Sequence, residues 1–305
     1  MTAGGPHDRR EMLGLMAIAA SALAFSTNYL LARIGPDLVS PMVLTFGRWL
    51  VLSLLLLPFA ASDLLRLRAE LVRSWRTLVL LAVSGMGICG GALYIGGKTT
   101  TAVNLALITT ISPILIVIGA RLFLRERMSA TQTAGTALAF FGVVLIVIKG
   151  DVEQLTQLMF TPGDLWALFA ALGWAAYAVI LRRNPVAVPG LALLCVTALF
   201  GSLVLLPLAI GEIVVRGAPH FSWGAVALVL AIAAIPGFLG YRFHAVATAA
   251  LGAGRASVIG FLGPLLATFL AWLLLDEQIA AYHVFGGAAV LAGVWLTTRS
   301  PEPIP

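Results

Sequence analysis

Eight side chains in this sequence stand out for the polar or amphipathic group they carry within or beside long apolar runs. Asn28, Tyr29, Arg48, Tyr94 and Lys98 lie in the first third of the chain; Trp174, Tyr177 and Tyr241 lie in the second half. The set offers aromatic faces, hydrogen-bonding tips and two cations, but no nucleophile paired with a base. A cavity walled by aromatics with a few convergent polar groups suits a zwitterion that carries an apolar side chain. Arg48 is the one charge well inside its run. An arginine at membrane depth costs from about 2.5 to more than 10 kcal/mol, so it either faces a cavity or partner or snorkels to the nearer interface. Facing a cavity, it is a candidate anchor for a carboxylate. Lys98 adjoins Tyr94 and the Thr99-Thr100-Thr101 run, where it reads as an interfacial anchor or as a cation screening anions at the mouth of a pathway. Trp and Tyr also favour membrane interfaces, and Trp166, near a run's end, fits that role. Gly96-Gly97, beside Lys98, are a place where a ligand would be admitted.

The elements that must position these groups follow from composition. Of 305 residues, 60% are hydrophobic and 10% charged, against about 25% charged in an average globular domain. Lipid must therefore be the solvent for most of the chain. A bilayer core of about 30 Å needs roughly 20 apolar residues per helix. Ten stretches qualify, at about 12–32, 41–61, 77–97, 101–123, 130–149, 163–181, 190–211, 223–244, 254–275 and 281–298. The expectation is an all-α integral membrane protein whose short connections house no soluble domain. The first stretch, after Arg9-Arg10 and with Ala22-Leu23-Ala24 inside it, resembles a signal peptide. It continues to Ala32, and its Phe25–Arg33 segment aligns with Trp174–Arg182, so a retained helix is expected.

The stretch Ala102–Leu145 recurs without a gap as Ala253–Leu296: Pro113 falls on Pro264, Glu126 on Glu277, Gly135 on Gly286 and Gly142 on Gly293. Such a self-match means duplication. The halves are 1–150 and 151–305. Each holds an odd number of helices, so the second enters the membrane inverted. Arg125-Glu126-Arg127 accordingly becomes Asp276-Glu277-Gln278, basic only where the loop is cytoplasmic. Arg and Lys gather in alternate loops, with Arg9, Arg10, Arg66 to Arg76, Arg125, Arg127, Arg182 and Arg183 on one side and only Arg33, Lys98, Lys149 and Arg216 on the other. That uneven placement puts both termini in the cytoplasm. Ten helices in two inverted five-helix repeats around a central cavity are a hallmark of secondary transporters. Pro113 and Pro264 each lack an N–H, freeing the carbonyls of Thr109 and Gly260 to seek another partner or a wet cavity. They are candidate hinges, or static kinks that let helices pack.

The pattern Phe25-Ser-Thr-Asn-Tyr resembles the Trp-Gly-x-Asn-Phe signature of the drug/metabolite transporter superfamily. The Ser112-Pro113 helix, the Leu-Arg-Glu-Arg that follows and the glycine-spaced helix after it resemble its EamA type. Phe25 stands where that signature has Trp, and Tyr177 where the second half would carry Asn. The resemblance covers nearly the whole chain and is greatest to YddG-type exporters of aromatic and other amino acids. It implies export of amino acids or related metabolites by alternating access, across a bacterial-type plasma (inner) membrane, by a single ten-helix unit.

No cofactor, metal cluster or nucleic acid is expected. The two cysteines, Cys89 and Cys195, sit in apolar runs, and the net charge of +6 follows membrane orientation. No phosphate-gripping loop, His-Glu-x-x-His or Gly-x-Ser-x-Gly occurs. No Asp or Glu falls near a helix centre, so proton coupling through an acidic switch has no obvious candidate. An intramembrane enzyme acting on lipid-linked substrates would need convergent His, Ser, Asp or metal ligands, whereas His7, His220, His244 and His283 are scattered near ends. A lipid scaffold would need no inverted repeat. An exporter of other metabolites or drugs remains the alternative within the transporter class.

Overall fold

A computed structural model describes residues 6–125, 129–149, 161–217, 222–251 and 259–299, all helix and short connections, with no strand among them. α1 (Pro6–Ile34) and α2 (Pro41–Arg66) are followed by the short α3 (Arg68–Arg73). α4 (Trp75–Leu81) runs through a π-helical segment (Ala82–Gly90) into α5 (Gly91–Gly96). α6 (Ala102–Thr109), α7 (Ser112–Phe123) and α8 (Ala130–Val147) complete the first half. The second half holds α9 (Pro162–Arg183), α10 (Gly190–Arg216), α11 (Trp223–Ile232), a second π segment (Ala233–Leu239), α12 (Gly240–Leu251), α13 (Ile259–Leu275) and α14 (Ala281–Arg299).

Each of the ten apolar stretches is mostly helical over its described residues. Among the described residues, seven helical segments are long and apolar enough to cross a membrane, and Ala130–Ile146, Leu262–Leu275 and Ala281–Leu296 are shorter apolar helices. Three of the long stretches depart from the single straight helix expected, among them 223–244, which widens into π turns through Ala233–Leu239. The stretch 101–123 is broken between Thr109 and Ser112, because Pro113 has no N–H to continue the ladder. The stretch 77–97 widens into π turns through the glycine-rich Ala82–Gly90. The N-terminal run, α1, packs along α12 and α13. The loop 126–128, most of the 150–162 connection, and Arg255 lie outside the described residues.

Helix ends are set by local chemistry. Pro41 and Pro162 occupy first turns, where a missing N–H costs nothing. Ser129 and Gln132 form a reciprocal capping box on α8. α6 is capped twice, by Thr101 Oγ1 accepting from the Asn104 N–H at 3.0 Å, and by the Glu277 carboxylate accepting from Ala102 N (2.9 Å) and Val103 N (3.0 Å).

The internal duplication recurs in the packing. α8 and α14 cross antiparallel, with Gly142 against Gly286 and Gly135 against Gly293. A Cβ on Gly142 would lie 2.5 Å from the Gly286 carbonyl oxygen, and one on Gly293 would lie 2.5 Å from that of Gly135. Only hydrogen fits there, and apolar helices in lipid gain most from such close backbone approach. Each glycine of one helix meets the non-equivalent glycine of the other, as a two-fold relation between antiparallel partners requires. α2 packs lengthwise on its counterpart α10. The two π segments start 151 residues apart, and so do Arg125 (φ 59°) and Asp276 (φ 53°), both left-handed in backbone conformation.

Candidate functional site

A cavity of about 500 Å³ lies where helices of the two halves meet. α1 contributes Phe25, Asn28 and Tyr29; α2 contributes Arg48 and Trp49; the first π segment contributes Met86 and Cys89. Across from them stand Trp174 of α9, Tyr241 and His244 of α12, and Gly260, Gly263 and Pro264 of α13. Thr109, Thr110, Ser112 and Pro113 border it at the break between α6 and α7. Five of the eight singled-out residues therefore share one wall system: Asn28, Tyr29, Arg48, Trp174 and Tyr241.

Arg48 organises this cavity. It is 5% exposed, so it does not snorkel. Its Nη1 donates to Tyr94 OH at 2.9 Å and to Asn28 Oδ1 at 3.2 Å, and Tyr94 OH donates to the same Asn28 oxygen at 2.9 Å. The guanidinium carbon lies 4.2 Å from the Trp49 ring centre and 5.4 Å from that of Tyr94, a cation–π arrangement that offsets part of its desolvation. No carboxylate among the described residues pairs with it, and its Nε is buried without a hydrogen-bond partner. A buried cation that lacks an anion and keeps an open donor is poised for one. Tyr94, wholly buried, stands behind the lining and holds Arg48 in place. Trp49 is fixed in turn by its Nε1–H donating to the Met86 carbonyl at 3.1 Å, within the π segment.

The aromatic walls are also held by packing. Phe25 and Tyr241 meet edge to face, ring centres 5.1 Å apart, and Trp174 stacks on Tyr177 at 5.2 Å. Tyr177, expected beside Asn28, does not border the cavity; it lies behind Trp174 and against Gly85. Its place in the repeat matches that of Asn28, but its ring is taken up between Trp174 and Gly85. The prolines behave unequally. Ser112 Oγ donates to the Thr109 carbonyl at 2.6 Å, satisfying the group that Pro113 leaves free. The counterpart of Ser112 is Gly263, which has no hydroxyl, and Gly260 borders the cavity. Tyr29 OH hydrogen-bonds Thr109 Oγ1 at 3.1 Å, tying α1 to the break.

Lys98 is not part of this cavity. It is exposed and borders a second pocket of about 250 Å³ with Arg33, Lys149, Thr100, Asn104, Thr161 and Tyr282. Gly96 and Gly97 admit no ligand, because the Gly163 carbonyl and the Ala32 backbone occupy the space beside them. Arg242 and His244 are exposed, although His244 also borders the main cavity. Sequence reasoning passed over Trp49, Cys89, Thr109 and Ser112, and also Asp164, Asn104 and His283, which form a buried cluster near Lys98. Hydroxyls close to Pro113 were the available signal for Thr109 and Ser112; Asp164 reads simply as an acid in the first turn of its helix.

Comparison with known proteins bears on this architecture. The chain is 28% identical over 249 residues to the uncharacterized transporter YyaM of Bacillus subtilis, spanning 78% of this chain and 77% of the relative. It is 26% identical over 284 residues to a probable terminal-alkyne amino-acid exporter of Streptantibioticus cattleyicolor, spanning 93% and 92%. It is 26% identical over 271 residues to the uncharacterized inner membrane transporter YhbE of Escherichia coli, spanning 86% and 81%. A crystal structure of a protein 18% identical in sequence shares the fold with a TM-score of 0.56, over 95% of this chain and 96% of its own. The model of the EamA-like transporter family matches twice, at residues 12–148 and 161–299. This multi-pass membrane protein belongs to the EamA-like transporter family.

Proposed function

We propose that the protein exports small metabolites bearing a carboxylate, foremost neutral and aromatic amino acids, by alternating access through the central cavity. One observation carries the substrate class: Arg48 is buried at the cavity wall with no anionic partner among the described residues and an unused Nε donor. Amino-acid carboxylate would supply the missing anion, while Phe25, Trp174 and Tyr241 accept an apolar side chain. Asn28 Oδ1 is committed to Arg48 and Tyr94, and its Nδ2 has no partner among the described residues. Export is supported by the similarity to a probable terminal-alkyne amino-acid exporter, and an inner-membrane location by the similarity to YhbE. The arrangement in this reading is ten membrane helices in two inverted halves, 1–150 and 151–305, with both termini cytoplasmic and the Lys98 end outside. Pro113 and Pro264 are the bends about which the halves move.

The test is flux from proteoliposomes loaded with labelled amino acids, with the corresponding decarboxylated amines and with polyamines. The expected result is saturable efflux of amino acids, little of the amines, and loss of amino-acid efflux in Arg48→Met. Equal flux of acids and amines, or full flux in Arg48→Met, would overturn the assignment of Arg48.

A further inference from the structure

Gly263, in α13 directly before Pro264, is a buried glycine with open space beside it. A Cβ built there would meet no atom within 4 Å among the described residues. Buried glycines elsewhere in the fold are crowded: the same atom on Gly142, Gly173 or Gly201 would lie 2.5, 2.7 or 2.4 Å from a neighbour. Protein interiors are close-packed, so a buried position without a neighbour faces a void. Here the void is the central cavity, which Gly263 borders together with Gly260 and Pro264. Gly260, one turn earlier on the same side of the helix, is open in the same way.

The repeat makes this openness informative, because the first half fills the equivalent places. Thr109 stands where Gly260 does, and Ser112 where Gly263 does. Thr109 Oγ1 bonds to the Leu105 carbonyl at 2.7 Å and to the Tyr29 hydroxyl at 3.1 Å, while Ser112 Oγ donates to the Thr109 carbonyl at 2.6 Å. Two walls related by duplication thus differ: one carries side chains bonded to nearby groups, and the other presents bare backbone. The cavity is lopsided as a result. Its charged and amide groups, Arg48 and Asn28, come from α2 and α1, whereas Phe25 shares a packed cluster with Leu262 and Leu266 of α13 and meets Tyr241 edge to face.

Small residues in a membrane helix ordinarily let another helix approach, but no described atom approaches these two. Arg48 is an independent sign that the space serves a ligand: it borders the same cavity, is 5% exposed, and keeps an Nε without a partner. We propose that the bare face of α13 at Gly260 and Gly263 is the subsite for the substrate's side chain, and that Gly263 sets the upper limit on its size. The proposal rests on the transport reading above and gives the substrate an orientation within it. The carboxylate lies at Arg48, and the side chain reaches across the cavity to α13, beside Phe25 and Tyr241. A flat aromatic ring fits against a helix face that carries no Cβ, and aromatic neighbours favour it further.

A side chain added at position 263 enters the cavity and not a packed interface, so it displaces substrate before it strains the fold. One methylene more or less in an apolar pocket discriminates between substrates by about 10–200-fold. Gly263→Leu therefore excludes large side chains more than Gly263→Ala does, and its unbranched Cβ suits a position directly before proline. Gly263→Ser installs the residue of the other half, whose hydroxyl turns back to its own helix as Ser112 does. It should act like Gly263→Ala and not like Gly263→Leu.

The test loads the same proteoliposomes with alanine and phenylalanine carrying different isotopes and reads the ratio of their efflux rates. A ratio taken within one preparation cancels any difference in the amount of folded protein. The expected result is a phenylalanine-to-alanine ratio lowered roughly tenfold or more in Gly263→Leu, and by less in Gly263→Ala and Gly263→Ser. Gly211→Leu, on the exposed and equally open side of α10, should keep the wild-type ratio. An unchanged ratio in Gly263→Leu, or the same fall in Gly211→Leu, overturns the subsite. If Gly263→Leu moves neither amino acid, Gly263→Ala decides, and a wild-type ratio there overturns it too. Each of these results leaves transport and the role of Arg48 standing. Wild-type protein that moves neither amino acid overturns the transport reading itself, and the subsite with it.

Discussion

Arg48 Nη1 and Tyr94 OH are 2.9 Å apart, and both contact one oxygen, Asn28 Oδ1. Three helical segments, α1, α2 and α5, thus converge on one buried cation. Tyr94→Phe removes an acceptor from a guanidinium whose Nε is already without a partner. An unmet buried group of this kind costs about 1–3 kcal/mol, more when charged. The expected outcome is a lower melting temperature in detergent and weaker amino-acid efflux, since Arg48 loses its orientation. Asn28→Ala should act in the same direction. Thermal unfolding and efflux on the same preparations check both.

The α8–α14 crossing has no room for a side chain at Gly142 or Gly293. Gly142→Val must push the two backbones apart, and overpacking of this kind costs about 1–3 kcal/mol or more. Loss of stability is expected, and Gly293→Val should match it, because the repeat gives it the equivalent place. A methyl group added at Gly211, in α10, would meet nothing within 4 Å, so Gly211→Ala should stabilise by about 0.5–1 kcal/mol through helix propensity alone. Melting temperatures of the three variants test the pattern.

Ser112→Ala would leave the Thr109 carbonyl at the helix break without its hydroxyl donor, now 2.6 Å away. A lost buried hydrogen bond is worth about 0.5–1.5 kcal/mol, with further cost if the carbonyl stays dry. Pro113→Ala supplies an N–H instead and allows α6 and α7 to join. The expected outcome is normal or raised stability with slowed efflux, because the break would no longer bend. Unchanged efflux in Pro113→Ala would make the break a static kink. Efflux rates set against melting temperatures separate the two.

Much of the fold was legible because lipid leaves little choice: a long apolar run must hydrogen-bond its own backbone, and hence form a helix. The duplication was legible in Pro113/Pro264 and the glycine pairs, and Gly142 meets Gly286 as a related pair would. The π segments at Ala82–Gly90 and Ala233–Leu239 were not, because a one-residue widening leaves no mark on hydropathy. Arg48 stood out as a lone charge in an apolar run. Asp164 and His283 did not, since each lies in the first turn of its helix, where polar residues are ordinary. Their link through Asn104 joins positions 60 and 179 residues apart in sequence, and no periodicity reports such a contact. Tyr177 shows the converse: its register was right, but a helical face cannot be assigned without knowing the neighbours.

Alternating access through this cavity depends on two halves of opposite orientation, and topology tests that most directly. Single cysteines at Glu126→Cys and Gln278→Cys, the latter sparing the cap that Glu277 places on α6, would be probed in right-side-out vesicles with an impermeant thiol reagent. Inverted halves require labelling from outside at position 278 and only from the cytoplasmic side at position 126. Labelling of both positions from the same side would contradict them.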